Sequence, residues 1–391
     1  MKTFEQTHPW ISYRIDFSKA SPELWWDLGE AASKCEHIAQ VPLRPETALK
    51  LHQLYLAKGA AATTAIEGNT LSEAEVLKAV EGKLEVPKSK EYLKQEVDNV
   101  IRVCDSIAEE LKMGTLSPLT LEIIKRYNGE VLRDLPKEHE EEIPGEIRTY
   151  PVLVGNVYRG APAGECEYLL NRLCEWLDGQ DFEPLPGRQL IYAIIKSVIA
   201  HLYLAWIHPF GNGNGRTARL LEFHILLKAG VPSPAAHLLS NHYNQTREEY
   251  YRQLNNASKS GGDIMPFLRY AVQGFVDGLK GQLNYIWNQQ WHLAWENYVH
   301  DLFRAKSGAT NKRQRDLALD LGIAADWVEI SKIPEFTPRL AKAYAGKTSK
   351  TVQRDLNVLA SHHLVHRDSR KIKANRELIL AFLPLRNHPS T

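Results

Sequence analysis

Apolar residues recur at helical spacing along most of the chain. Ser21 and Pro22 read as an N-cap and first helical residue, opening a helix that runs to about Ala39. Pro42 and Pro45 interrupt it. A second helix spans about 45–69, with Leu49, His52, Leu56 and Ala60 along one side, and Gly68 and Asn69 stop it. Ser72 and Glu75 are spaced for a capping box on the next helix. Residues 89–113 form an amphipathic pattern in which Tyr92, Val97, Val100, Ile101, Cys104, Ile107 and Leu111 mark the apolar side. Ser117 and Pro118 predict another start, with a helix to about Asp134. Further helices follow at about 164–178, 187–207, the stretch ending near Ala229, and 265–303. In the last of these Trp287, Trp291 and Trp295 recur every fourth residue. Such a stripe is a packing seam, docking either the C-terminal part of the chain or a second subunit, which would make a homodimer.

Alternation and β-branched residues are scarcer. Val152, Leu153, Val154, Gly155 and Asn156 give the clearest strand before the C-terminal region. Residues 310–336 predict a hinge. Thr337 and Pro338 then cap a short helix to Ala345, Gly346 to Thr348 turn, and a second helix starts at Ser349. Two short strands, 364–366 and 371–373, flank Asp368, Ser369 and Arg370. The order is helix, turn, helix, wing.

Composition narrows this picture. The chain has 391 residues, 43% hydrophobic and 24% charged, with a formal net charge of +1. These values are ordinary for a soluble protein and exclude polyanion binding by bulk charge. Cys35, Cys104, Cys166 and Cys174 form no CxxC or zinc pattern, which predicts reduced thiols and a cytoplasmic protein. The first residues lack the apolar core of a leader. No apolar run reads as a membrane span, the best candidate, 191–207, being broken by Lys196, Ser197 and His201.

The densest chemistry lies at 208–219, His-Pro-Phe-Gly-Asn-Gly-Asn-Gly-Arg-Thr-Ala-Arg. A glycine-rich loop opening a helix is a ready anion site, because its N–H groups and the helix dipole point at the ligand. Gly211, Gly213 and Gly215 allow close backbone approach. Arg216 and Arg219 share a helix face and suit bidentate phosphate contact. His208 has the chemistry of a general base. No Walker A lysine motif or kinase signature accompanies it.

This stretch resembles the Fic family signature, HPFx(D/N)GNGRxxR. Residues 63–68, Thr-Thr-Ala-Ile-Glu-Gly, are similar to the (S/T)xxxE(G/N) inhibitory motif of the same family. Glu67 is also oddly placed by itself, a carboxylate in the last turn of a helix, where the dipole is negative. The resemblance, covering about residues 45–280, implies a mainly α fold. It would be a Fic-type helical bundle with a small β-hairpin flap, followed here by a C-terminal winged helix-turn-helix domain. The expected divisions are an N-terminal helical region 1–110, a catalytic core 111–280, a helical connector 281–335 and the winged module 336–391.

The resemblance further implies a protein adenylyltransferase that moves AMP from ATP to a Ser, Thr or Tyr hydroxyl of a protein, the chain itself included. His208 would take the hydroxyl proton. Gly213, Asn214 and Gly215 would cradle the phosphates, with Thr217 and Ala218 in the same segment. Asn212 would ligate Mg²⁺. Arg216 would neutralise the leaving group and Arg219 would grip the γ-phosphate. Val154, Gly155, Asn156 and Val157 belong to the flap over ATP, whose edge would receive the target by β-augmentation. Tyr250 and Tyr251 would contact adenine, although the Asn some relatives carry seven residues later is Ser258 here. Thr63, Glu67 and Gly68 would be inhibitory, Glu67 pairing with Arg219 against the γ-phosphate. A close variant is AMP removal, with Glu67 orienting water.

A second function class comes from charge. Between Thr337 and Arg376 ten basic residues face only Asp355 and Asp368. That excess suits phosphate contact by a DNA-binding regulator, in which Lys350, Arg354, Arg370 and Lys371 would touch DNA and the Fic part would act as a sensor.

Overall fold

A computed structural model describes residues 2–137, 139–155, 158–324 and 326–380. The chain divides into two compact units, Met1–Leu283 and Asn284–Thr391.

The first unit is helical. It contains α1 (Thr3–Thr7), α2 (Pro22–Gln40), α3 (Pro45–Ala65), α4 (Glu73–Val80), α5 (Glu91–Lys112) and α6 (Leu121–Val131). A two-stranded hairpin follows, β1 (Leu153–Val154) and β2 (Tyr158–Arg159), with Leu153 opposite Arg159 and Val154 opposite Tyr158. Then come α7 (Cys166–Leu177), α8 (Gln189–Ile207), α9 (Asn214–Lys228), α10 (Ser233–Ala236), α11 (Leu238–Gln245) and α12 (Arg247–Lys259), and α13 (Met265–Phe303) begins here.

The caps explain several starts. Ser21 accepts from the Leu24 N–H, and Ser72 with Glu75 forms a reciprocal capping box. The start expected at Pro118 is displaced. Thr120 caps α6 by accepting from the Ile123 N–H, while the Ser117 hydroxyl bonds the Thr115 carbonyl instead. Helix α8 is the central rod. It is apolar on nearly every side and buried from Ala193 to Leu204 except at Lys196. By length and a mean hydropathy of 1.8 it could cross a membrane, contrary to the reading of its three polar residues as interruptions. Ser197 and His201 are fully buried, and the helix is the core of this unit, packed on α9, α7 and α2. Helix α9 in turn packs on α3, α5 and α6. This brings the end of α3, which carries Glu67 just beyond it, to the start of α9.

The second unit holds the later part of α13, α14 (Ala309–Ile323), β3 (Val328–Glu329), α15 (Pro338–Tyr344), α16 (Ser349–Ser361), β4 (Val365–Asp368) and β5 (Lys371–Ala374). The strands form an antiparallel sheet in the order β3-β5-β4. The tryptophan seam packs onto the C-terminal part. Trp291 and Trp295 stack with centroids 5.3 Å apart and share a core with Val299, Leu317, Leu340, Leu356 and Ile372. Trp287 remains exposed. The expected hinge at 310–336 is instead largely the buried helix α14, whose Leu317, Ala318 and Leu321 enter that core. Its polar residues are paired rather than solvated. Gln314 donates to Asp355, and Asp320 accepts from Thr337 and Arg339.

Candidate active site

His208 terminates α8 in the left-handed conformation, φ 49° and ψ 58°, and its N–H still bonds the Leu204 carbonyl. Gly213, at φ 74°, is the N-cap of α9. Between them the loop is clamped by Asn214, whose side chain accepts from the Phe210 N–H at 3.0 Å and donates to the Phe210 carbonyl at 2.9 Å. No side chain caps α9. Its first N–H groups, from Asn214, Gly215 and Arg216, have no intrahelical acceptor and face the loop, as an anion site requires.

Two cavities meet at this point. One, of about 480 Å³, is lined by Ile66, Val154, Gly155, Trp206, Tyr250 and Tyr251. The other, of about 960 Å³, is lined by Glu96, Tyr150, Val152, Leu153 and the loop from Gly211 to Arg216. Glu67, Val154, His208, Asn214 and Gly215 line both. Glu67 thus stands between a largely apolar chamber and a polar one.

The pairing of Glu67 with Arg219 is present. Arg219 Nη2 donates to Glu67 Oε1 at 2.5 Å and to the Thr63 carbonyl at 2.9 Å. Burial opposes the charge on Glu67, but Arg219, helped by Arg216 and His208, holds its carboxyl below the usual range. Arg219 is buried and lines neither cavity, while its Nε and Nη1 have no partner among the described residues. Gly68 takes φ 105°, which lets the chain turn directly after Glu67.

Arg216 also has a carboxylate. Its Nη1 donates to Glu96 Oε1 of α5 at 3.0 Å, and Nη2 donates to the Asn212 amide oxygen at 3.0 Å. The second Glu96 oxygen accepts from Asn69 at 2.8 Å. Asn69 follows Glu67 by two residues, so one turn reaches both motif arginines. Arg247 and Tyr251 add donors to the Ile66 carbonyl at 2.6 and 3.3 Å. Glu96, Asn69 and Arg247 were not singled out by sequence reasoning. Their partners lie tens of residues or more away, and no local pattern marks them.

His208 faces the same space. Burial chiefly, with the Arg148 cation, holds its imidazole down to about 4, against a hydrogen bond to the Ala205 carbonyl and the charge of Glu67. The ring is neutral at pH 7 and can accept a proton.

Other expected site residues divide. Tyr250 lines the first cavity, but its hydroxyl is bound to His201 at 2.8 Å and its ring stacks on Tyr243. Tyr251 is half-exposed beside it. Asn255, one turn beyond Tyr251, lines the cavity, whereas Ser258 does not. Thr217 and Ala218 are fully buried and line neither cavity; Thr217 bonds the Gly213 carbonyl. Asn156 and Val157 lie outside the described residues. Leu153 and Val154 are exposed on β1. For a metal, Asn212 offers one neutral oxygen, already accepting from Gly213 N–H at 2.5 Å and from Arg216.

Comparison with known proteins agrees with this geometry. Residues 118–226 match the sequence profile of the Fic/DOC family. The chain is 31% identical over 214 residues to a protein adenylyltransferase Fic from Nematostella vectensis, covering 54% of this chain and 45% of the relative. It is 32% identical over 230 residues to protein adenylyltransferase fic-1 from Caenorhabditis briggsae, covering 56% of this chain and 41% of the relative. The chain therefore spans less than half the length of these curated relatives. Among solved structures, a Fic family protein from Desulfovibrio desulfuricans shares the fold at 18% identity and a TM-score of 0.55, covering 91% of this chain and 97% of that one. A segment of C. elegans Fic-1 superposes at 26% identity and a TM-score of 0.50, covering 66% of this chain and 72% of that one. The motif loop, its helix α9 and the flap hairpin are accordingly parts of a Fic/DOC family domain, which this chain carries.

Proposed function

We propose that the chain is a protein adenylyltransferase that rests in an autoinhibited state. The observation that carries this reading is the Glu67–Arg219 pair, whose Glu67 end lines both cavities beside His208 and the N-terminus of α9. Two arginines, an uncapped helix start and a neutral imidazole are the parts that nucleotidyl transfer needs: charge neutralisation, positioning and a base. The apolar chamber between Ile66, Tyr250 and Tyr251 suits a purine, and the polar one suits phosphates. The target hydroxyl attacks the α-phosphorus, its proton goes to His208, and the bond to the β-phosphate oxygen breaks so that pyrophosphate leaves. Glu67 occupies the Arg219 fork that the γ-phosphate would take, which is why resting turnover is low.

ATP and a protein hydroxyl are the substrates this reading requires. The exposed β1 edge offers extended pairing to the target. Mg²⁺ fits as an ion held mainly by phosphates and water, with Asn212 as the protein's ligand once its oxygen leaves the Gly213 N–H. Bound there, it would neutralise phosphate charge.

Incubation of wild type, Glu67→Gly and Glu67→Gly/His208→Ala with ATP labelled at the α-phosphate, in a cell lysate, tests the reading. Label on protein with Glu67→Gly alone is the expected result. Its absence overturns AMP transfer from ATP. A pre-adenylylated protein in a second arm distinguishes AMP removal.

A second reading concerns the second unit. Lys350 and Arg354 on α16, and Arg370 and Lys371 at the β4–β5 turn, are exposed and form no ion pair among the described residues. Other basic residues of this region are engaged: Arg339 with Asp320, Arg376 over Trp291 and Lys373 over Trp327. Helix α16 and the hairpin would act as recognition helix and wing on DNA. Gel-shift binding that weakens steeply with salt and with Arg354→Ala supports this reading, and salt-insensitive binding counts against it.

A further inference from the structure

Arg148 precedes the flap and is 4% exposed. Its guanidinium donates to three main-chain carbonyls: Nε to His208 at 2.8 Å, Nη1 to Tyr150 at 2.6 Å and Nη2 to Ala161 at 2.5 Å. Its own N–H donates to the Pro209 carbonyl at 3.0 Å. Tyr150 and Ala161 bracket the hairpin β1–β2, one at each foot. The residues beside the clamp reinforce it. Ala161 N–H bonds the Ile207 carbonyl, and the Tyr158 hydroxyl bonds the Trp206 carbonyl. A Cβ on Gly160 would lie 2.9 Å from Arg148 Nη2 and 3.1 Å from His208 Cβ, so no side chain fits there.

Burying a cation is costly unless it is paired, and no carboxylate lies within ion-pair distance of Arg148 among the described residues. Its partners are carbonyl dipoles only. A stability-driven core would fill this place more cheaply with an apolar side chain. What Arg148 supplies, and an apolar residue does not, is a planar fork that fixes three backbone points relative to one another. One point is His208, in a left-handed conformation that non-glycine residues rarely adopt without support.

We infer that Arg148 is a positioning residue that fixes the flap and His208 in one frame, so that a hydroxyl docked against β1 meets the imidazole in register. The inference rests on the adenylyl-transfer reading. Among the described residues the hydrogen bonds of Arg148 go to His208, Pro209 and the feet of the flap, not to the α9 N-terminus, so the phosphate cradle forms without it.

The test compares Arg148→Lys and Arg148→Gln with the parent, all in the Glu67→Gly full-length chain. Two quantities are read: affinity for ATP by titration calorimetry, and the self-labelling rate at saturating ATP labelled at the α-phosphate. The rate falls by about 100-fold, as expected for a misplaced base. ATP affinity stays within about three-fold, a loss confined to the reacting geometry. An unchanged rate overturns the inference, and so does a proportional loss of rate and affinity. If Glu67→Gly itself transfers no label, the adenylyl-transfer reading fails, and hydrogen exchange decides the clamp alone. Arg148→Gln then speeds exchange at the Gly160, Ala161 and residue 148 amides by about ten-fold, with α8 core amides unchanged. Unchanged exchange at those three amides overturns it.

Discussion

The Glu67 carboxylate lies against the Cα of Gly215, in the space a Cβ at position 215 would occupy. Gly215 sits in the first turn of α9 with no positive φ, so the backbone does not demand glycine there. The Glu67 carboxylate does.

A change of sign follows for Gly215→Ala. In wild type the added methyl meets Glu67, and overpacking of this kind costs about 1–3 kcal/mol. With Glu67→Gly only Arg219 Nη1, 3.2 Å from that methyl, is left to give way, and alanine is favoured over glycine in a helix by about 1 kcal/mol. Urea unfolding of the four proteins in the cycle should show destabilisation in the first background and stabilisation in the second. The same sign in both would mean that Glu67 does not hold this position in solution.

The turn that carries Glu67 is tied through Arg219, through Asn69 to Glu96 and Arg216, and through Arg247 and Tyr251 to the Ile66 carbonyl. Asn69→Ala removes the second tie while leaving Glu67 intact. Labelling from ATP should rise by about ten-fold over wild type, the equivalent of one lost hydrogen bond to a charged group, and remain below that of Glu67→Gly. Labelling equal to wild type would show that the Asn69 tie does not help to close the site.

Much of the site was legible because its chemistry is contiguous. Residues 208–219 carry His208, the glycine-rich loop and both arginines in one contiguous stretch, and 63–68 carries Glu67. What the sequence could not show is what lies across from these residues. Glu96 is separated from Arg216 by 120 positions, and within α5 it is one more acid on a polar face. Arg148 sits in an irregular segment without periodicity. Helix α14 failed as a prediction for a related reason. Lys312, Arg313, Gln314, Arg315 and Asp316 look like a solvated hinge, yet Gln314, Asp316 and Asp320 are buried. Hydrogen bonding to α15 and α16 neutralises the polarity that the periodic pattern reads as exposure.

The imidazole of His208, held down to about 4, sets the acid side of the pH profile. A general base acts in its neutral form, so the rate is lost only as pH falls through that value. In Glu67→Gly the nearby negative charge is gone, which lowers the imidazole further. The labelling rate of that variant should therefore show no decline attributable to His208 between pH 8 and about 5. An acid limb with a midpoint near the usual histidine value would show that His208 is hydrated in the active state.

Glu67 gives a linked stability prediction in the same direction, a loss toward acid pH. Its carboxyl is depressed in the folded state, chiefly by Arg219 against the effect of burial. A depressed acid contributes stability above its unfolded value, and that contribution is lost as pH falls through the folded one. Wild type should therefore exceed Glu67→Gln in stability at pH 7, and the difference should shrink below the ordinary carboxylate value of 4.5. Denaturant midpoints of the two proteins at neutral and acid pH measure it. A difference that does not depend on pH would place the value of the contact in packing against Gly215 rather than in charge.

In the second unit Asp355 is 1% exposed and accepts from Arg313 at 2.6 and 3.2 Å, Gln314 at 2.9 Å and the Tyr344 hydroxyl at 3.0 Å. It joins α14, α15 and α16 at one point. Asp355→Ala leaves Arg313, itself mostly buried, without its counter-charge, at a cost of about 3–5 kcal/mol. Replacing both partners, Asp355→Leu with Arg313→Met, removes the orphaned charge and should recover most of that loss, since an apolar pair needs no desolvation of ions. Hydrogen exchange of α16 amides in the full chain measures both variants. Equal losses in the single and the double variant would mean that the carboxylate serves to orient the α16 face that carries Lys350 and Arg354, a role no apolar pair can fill.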